Sequence, residues 1–296
     1  MFNRLTLVWL GVLLGSGAAF AAERPWSLDL EAAAGKNTNI GNAEHHRDTV
    51  SDKFGVLTGG ANYRWDFGPQ AVTVRAFAEG EYVNKVEDLS RATAGGKVGY
   101  QRQLGSLPTS PTFAASVTAQ IDDYKVKQRD STVVTTRVSI AKPIGARASL
   151  SVGGEYFYRD SKGSVWDLSH WRGFLGGDVN VWQGWTTYAT YSFIKGDVAS
   201  TAQTRLSDGS VPDSIFGLLQ ASKALEPDDA FNNQFSNSQW TAYRLSATSN
   251  AARVGIKKEF ANDFTLDISA FSVWVNAKAD NKYDTQIYRA SLQKRF

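Results

Sequence analysis

The feature that most constrains this chain is a strict alternation of apolar and polar residues, held for ten or more positions at a time and repeated about twelve times along 296 residues. Successive side chains of a strand point to opposite faces, so each such run reads as a strand that is wet on one face only. Arg147 to Tyr158 is the clearest case. Leu150, Val152, Gly154, Tyr156 and Tyr158 share one face, while Arg147, Ser149, Ser151, Gly153 and Glu155 share the other. In the same way Val72, Val74, Ala76 and Ala78 oppose Thr73, Arg75, Glu79 and Glu81. Phe264, Leu266, Ile268 and Ala270 oppose Thr265, Asp267 and Ser269.

This pattern predicts strands near 26–36, 53–66, 70–84, 91–103, 111–127, 132–143, 146–160, 166–182, 184–197, 238–260, 263–278 and 283–296. Within 238–260 the apolar phase shifts between Tyr243, Leu245, Ala247 and Ala252, Val254, Ile256, which predicts a bulge near Ser249-Asn250. The connections alternate in length. Short ones such as Gly68-Pro69, Ile144-Gly145 and Gln183-Gly184 take turns with longer polar ones, of which 198–237 is the longest. A water-soluble sandwich has no reason to sort its loops this way, whereas an outer-membrane barrel has short periplasmic turns and long extracellular loops. In lipid a sheet must close on itself, because no water is present to satisfy an open edge. The fold class expected is therefore all-β: a transmembrane antiparallel up-and-down barrel of about 12 strands.

Aromatic residues fall where the alternation meets the connections. Trp26, Tyr63, Trp65, Tyr100, Trp182, Trp185, Phe260 and Phe264 lie toward the short turns, and Tyr82, Tyr156, Tyr158, Trp171, Tyr191 and Trp274 toward the long loops. Two rows at opposite strand ends suit the two headgroup levels of a bilayer.

Residues 1–22 carry the three parts of an export signal: Asn3-Arg4, an apolar run from Leu5 to Ala19, and the small residues Ala19, Ala21 and Ala22. The division expected is a signal peptide over 1–22, cleaved after Ala22, and a barrel over 23–296 with a long extracellular loop at 198–237. The last strand resembles the C-terminal signal of bacterial outer-membrane β-barrel proteins. It ends on Phe296 and sets Leu292, Ala290 and Tyr288 at alternate positions, with Lys294 where an apolar residue is commoner. The resemblance implies insertion into the outer membrane of a Gram-negative cell envelope by the barrel-assembly machinery, with Tyr288, Leu292 and Phe296 as the assembly signal. It points to an architecture and to no particular family.

Composition narrows the chemistry. There is no Cys, so disulfides, thiolate metal sites and cysteine nucleophiles are excluded. The net charge of +3 is spread over 32 basic and 29 acidic residues, so no nucleic-acid partner is indicated. Alternation points Arg75, Glu79, Glu81, Lys97, Arg137, Glu155, Arg172, Asp178, Lys257, Glu259 and Arg289 into the lumen, together with Asp29, Glu31, Arg64, Asp122, Arg253 and Asp267. Such a set either braces a filled interior with ion pairs or lines a polar channel. No excess of one sign is evident, so strong ion selectivity is not expected.

Catalytic and metal sets are weak. His170 lies near Asp167 and Ser169, but alternation sends Ser169 and His170 to opposite faces, which argues against a nucleophile–base pair. The adjacent His45-His46 with Glu44 and Asp48 reads as a solvated loop, so no metal and no other cofactor is expected. Within 198–237, Pro212-Asp213 followed by Ile215, Phe216, Leu218, Leu219 and Leu225, with Pro227 as a stop, predicts a short amphipathic helix, which either folds over the mouth to constrict the pore or bind a partner, or packs its apolar stripe on the barrel rim. Lys125, Lys127, Arg129, Arg159 and Lys162 are rim cations suited to lipopolysaccharide phosphates. The function expected is a channel for small polar or sugar-like solutes. The alternatives are a non-conducting structural or assembly barrel of the cell envelope, including one that serves export of a surface polymer or protein, and a rim-located hydrolase.

Overall fold

The computed structural model describes residues 25–212, 214–278 and 281–296, and the expected signal peptide lies outside them. The chain forms β1 (Trp26–Asn37), β2 (Asp52–Phe67), β3 (Gln70–Val83), β4 (Arg91–Gln103), β5 (Thr112–Tyr124), β6 (Ser131–Ile144), β7 (Ala148–Ser161), β8 (Leu168–Trp182) and β9 (Trp185–Arg205). Then follow α1 (Ser214–Ala221), β10 (Ala224–Pro227), α2 (Asp229–Gln234), β11 (Gln239–Glu259), β12 (Phe264–Ala277) and β13 (Lys282–Arg295). Every sequential pair of wall strands is antiparallel. Pairing of β13 with β1 and of β9 with β11 closes a barrel of twelve strands, with the four-residue β10 attached to β11 above the end of β12.

The outer surface carries the apolar set. Leu30, Leu57, Val74, Val98, Val117, Val138, Leu150, Val152, Leu175, Val254, Ile268 and Leu292 are all exposed, as a barrel dissolved in hydrocarbon requires. Trp26, Trp65, Phe67, Trp182, Phe260 and Phe296 are exposed at the short-turn rim, and Tyr82, Tyr158, Trp171, Tyr191 and Trp274 toward the long-loop rim. The rings also pair along the wall: Trp26 meets Tyr63 edge-on at 4.5 Å, and Tyr156 lies 4.6 Å from Trp171. Tyr288, Leu292 and Phe296 are exposed on the same outer face, and the backbone of Phe296 exchanges hydrogen bonds of 2.8 and 3.2 Å with Leu28 to end the seam.

The bulge expected at Ser249-Asn250 is absent. β11 keeps unbroken register with β9 and β12 across those residues, and its irregularity lies instead between Gln239 and Trp240. The apolar phase shifts because the surroundings change, not the strand. In the membrane the outward Val254 meets lipid, while higher up the inward Tyr243, Leu245 and Ala247 pack in a protein core. β9 also runs eight residues past its expected end, so β9 and β11 continue as a ribbon beyond the wall. Gly196 marks the departure. Its φ of +154° suits glycine alone, and a Cβ there would lie 2.3 Å from the Ser169 carbonyl oxygen.

Candidate functional site

The ribbon and the segment 206–238 close the extracellular mouth. Thr201 donates its backbone N–H to Gly41 in the β1–β2 connection at 2.9 Å, and the Asn42 side chain donates to the Ala199 carbonyl at 3.0 Å. Asn233 donates to Asp88 between β3 and β4 at 2.7 Å, Arg129 between β5 and β6 binds Asp228 at 2.8 Å, and Ser164 between β7 and β8 donates to Glu226 at 2.6 Å. Asn281, beyond β12, donates to the Tyr243 hydroxyl at 3.0 Å. In the order of the ring, the β3–β4 connection lies opposite the gap between β9 and β11 from which this segment starts. A segment that touches connections all around the ring must span the opening.

The roof has a core. Phe231 of α2 is wholly buried among Ile40, Val83, Val86, Leu89, Val126, Ala230 and Trp240, drawn from three connections and the ribbon. Val133, Phe157, Trp166 and Leu168 from the opposite inner wall pack on Ala199 and Ala242 of the ribbon. The Asp228 carboxylate accepts from the fully buried Arg129 and, at 2.7 Å, from the Thr201 hydroxyl, while the Arg129 guanidinium lies 4.0 Å over the Trp166 ring. Below, Arg91 binds Glu79 and Glu81 at 2.9 Å and Asp122 at 2.7 Å, and Arg159 reaches Asp122 at 3.0 Å.

Several expected placements are corrected. The helix stops at Ala221, and Leu225 lies in β10 with its side chain exposed. Ile215 and Leu218 pack on the inward residues Val273, Val275, Tyr243 and Tyr283, whereas Phe216 is exposed; the side chain of Leu219 and all of Asp213 lie outside the described residues. The helix therefore lines one wall, and α2 with the ribbon blocks the middle. Arg129 and Arg159 are buried in the roof and are no rim cations, because carboxylates of other loops and strands draw them inward. Lys125, Lys127 and Lys162 remain exposed, paired with Glu87, Asp123 and Asp130. The Asp130 carboxyl would be raised by its burial, but the Tyr124 N–H at 2.8 Å and the Lys162 ammonium at 2.9 Å hold it below the usual carboxylate range. Asp48 is the opposite case, for burial pushes its carboxyl up against the lowering effect of the Gln203 N–H and Arg47.

His170 is buried on the inner wall, stacked 4.7 Å from Phe157, and its Nε2 has no hydrogen-bond partner. Among the described residues no group of three or more His, Asp or Glu side chains is placed to hold a metal ion.

Beneath the roof lies a cavity of about 1060 Å³ that runs from the mid-barrel to the periplasmic turn at Gln183-Gly184. Arg75, Arg137, Arg147, Arg172, Arg253, Lys257, Arg289 and Arg295 line it, against Asp178, Glu259 and Asp267. The balanced lumen expected from alternation is therefore divided along the axis. Several acids of the upper half are consumed in the Arg91 and Arg129 networks, while the open lower half presents mainly guanidinium groups. Of the expected lumen residues, Glu79 and Glu81 belong to the closed part. Glu155 is buried 3.8 Å from Arg172, and Lys97 stands directly across the β3–β4 ladder from Arg75. Sequence reasoning missed Arg91, Asp228, Phe231 and Trp240, since only the folded roof brings them together.

The architecture has relatives among solved structures. The chain is similar to an outer-membrane channel from Pseudomonas putida F1, with a TM-score of 0.59 and 12% identity over 93% of this chain and 97% of that one. The fold is an outer-membrane β-barrel. Weaker likenesses are to the NanC porin, with a TM-score of 0.44 and 10% identity over 89% of this chain and 98% of that one, and to the toluene transporter TodX of Pseudomonas putida, with 0.43 and 8% over 92% and 89%. No protein-family model and no curated protein matches the sequence. The exposed apolar belt, the closed wall and the aromatic rims place this barrel in the outer membrane.

Proposed function

We propose that the protein is an outer-membrane channel for small polar solutes, held shut on the extracellular side by its own connections and opened by displacement of the 206–238 segment. The observation that carries this reading is the cavity of about 1060 Å³ beneath a roof built from loops. Such a roof can move without breaking the wall, because the pairing of β9 with β11 persists below Gly196. A barrel that served only as a structural element has no need of a hollow, polar lower half. The likeness in fold to a channel agrees with the reading.

Replacing 206–238 by Asn-Gly tests it. Arg205 and Gln239 already face each other at the end of the ribbon, and a two-residue Asn-Gly turn joins such strands. In planar bilayers the intact protein should show rare openings, and the variant a steady, larger conductance. An intact protein that never opens at any voltage would establish the non-conducting alternative.

A further inference from the structure

The lower lumen gathers cations on one surface. Arg75, Arg137, Arg172, Arg253, Lys257 and Arg289 converge on one cavity from β3, β6, β8, β11 and β13. Two of their carboxylate partners sit behind them. Asp29 binds Arg75 at 2.6 Å and Glu31 binds Arg289 at 2.6 Å, yet these two acids are 6% and 3% exposed against 17% and 13% for the arginines. These two carboxylates thus orient their guanidinium groups, and the lining offers N–H donors in excess over the carboxylates of Asp178, Glu259 and Asp267.

Packing fixes the rest. The Phe174 ring lies in the notch over Gly153, where a Cβ would come within 2.5 Å of it, and forms a platform with Arg137 at 4.3 Å and Arg172 at 5.7 Å. Arg172 also donates to Ser192 at 2.6 Å, and Arg253 lies 5.4 Å over the Tyr188 ring and donates to Ser269 at 3.1 Å. Arg137 and Arg172 share the Phe174 ring, and Arg75 stands across the ladder from Lys97. Like charges fixed close together on a low-dielectric wall are relieved by an anion between them, and guanidinium forks match carboxylate or phosphate oxygens.

We infer that this cavity is a binding site for multiply charged organic anions, carboxylates or phosphate esters of a few carbons, admitted by the channel proposed above. The inference rests on that reading for access only. A space of about 1060 Å³ accommodates such a solute with several waters.

Calorimetry on the intact, detergent-solubilised barrel with citrate as probe tests the site without requiring conduction. Citrate should bind at least ten times more tightly than uncharged sucrose, and Arg137→Gln/Arg172→Gln should weaken it about tenfold or more. Arg172→Lys, which keeps the charge and loses the fork, should weaken binding less than the double variant, and Lys125→Gln at the extracellular rim should leave it unchanged. Equal binding of citrate and sucrose by the intact protein, or undiminished citrate binding in a folded double variant, overturns the site. A second readout needs no altered arginine. In a KCl gradient the barrel lacking 206–238 should give a reversal potential of anion-selective sign, and a cation-selective sign overturns the inference while leaving the channel reading intact. Citrate binding by a barrel that never conducts has the opposite meaning: the site stands and the channel reading falls.

Discussion

The upper and lower halves of the lumen share the same strands and the same alternation, yet they solve different problems. Above, Arg91, Arg129 and Arg159 are at most 2% exposed in their side chains and are spent on Glu79, Glu81, Asp122 and Asp228. Below, Arg253 and Asp267 meet at 3.5 Å with 19% and 22% of their side chains exposed. A buried charge must be paired and hydrogen-bonded to be tolerated, so the roof has no spare cation to offer a solute. A half-hydrated one can exchange its partner. The same residue types therefore make a lock in one half and a receptive surface in the other.

The contrast is broken most strongly at Asp122, which serves both Arg91 and Arg159 and accepts from the Thr93 hydroxyl at 2.7 Å. Asp122→Ala removes that shared acceptor and should destabilise the barrel by ~3–5 kcal/mol in urea unfolding followed by tryptophan fluorescence. A loss below 1 kcal/mol would show that the upper network is not a lock. Phe231→Ala empties the centre of the roof and should cost its closed state ~3–5 kcal/mol. It should be read as frequent openings in planar bilayers, with the unfolding midpoint of the wall little changed.

Next comes the wall common to both halves. Val74→Arg places a charge in hydrocarbon and should lower stability by ~2–4 kcal/mol, measured as loss of heat-modifiable barrel. Arg75→Gln, which keeps a donor for Asp29, should be tolerated better. Equal tolerance would contradict the inward and outward assignment of β3. Asp267→Asn in the lower half retains a partner for the Tyr188 hydroxyl and should cost only about 1 kcal/mol.

The smallest effect expected is at the rim. The folded Asp130 carboxyl titrates below the unfolded value of about 3.9, so its contribution is complete above that value and is lost as the pH falls through the folded value. The protection factor of the Tyr124 amide, taken against the intrinsic exchange rate at each pH, should fall on acidification in the native protein and be already low in Asp130→Ala. Asp48, raised by burial, has the opposite sign, and Asp48→Asn should not weaken the roof near neutral pH.

Much of this was legible before folding. Strands such as 91–103 agree to the residue, because lipid on one side and polar groups on the other impose a local period-two rule that any ten residues display. The lumen assignments of Arg75, Arg137 and Arg253 follow from the same rule. The roof was not legible. Phe231 sits in a stretch with no periodicity and Trp240 at the very start of a strand, and their burial depends on Ile40, Val86 and Val126, more than a hundred residues away in sequence. Arg129 and Arg159 read as rim cations because nothing local announces Asp228 or Asp122. The helix at 214–221 was foreseen in kind, but which wall covers its apolar side was not.

The sequence alone determined a closed barrel, its strand count, its lipid face and its two aromatic rims, since each depends on a residue and its immediate neighbours in a fixed solvent. Only the tertiary structure decided that the mouth is roofed and that acids above and arginines below divide the lumen. Those outcomes depend on which charges find partners across the barrel, and a pairing between Arg129 and Asp228, 99 residues apart, leaves no mark on the pattern of either segment.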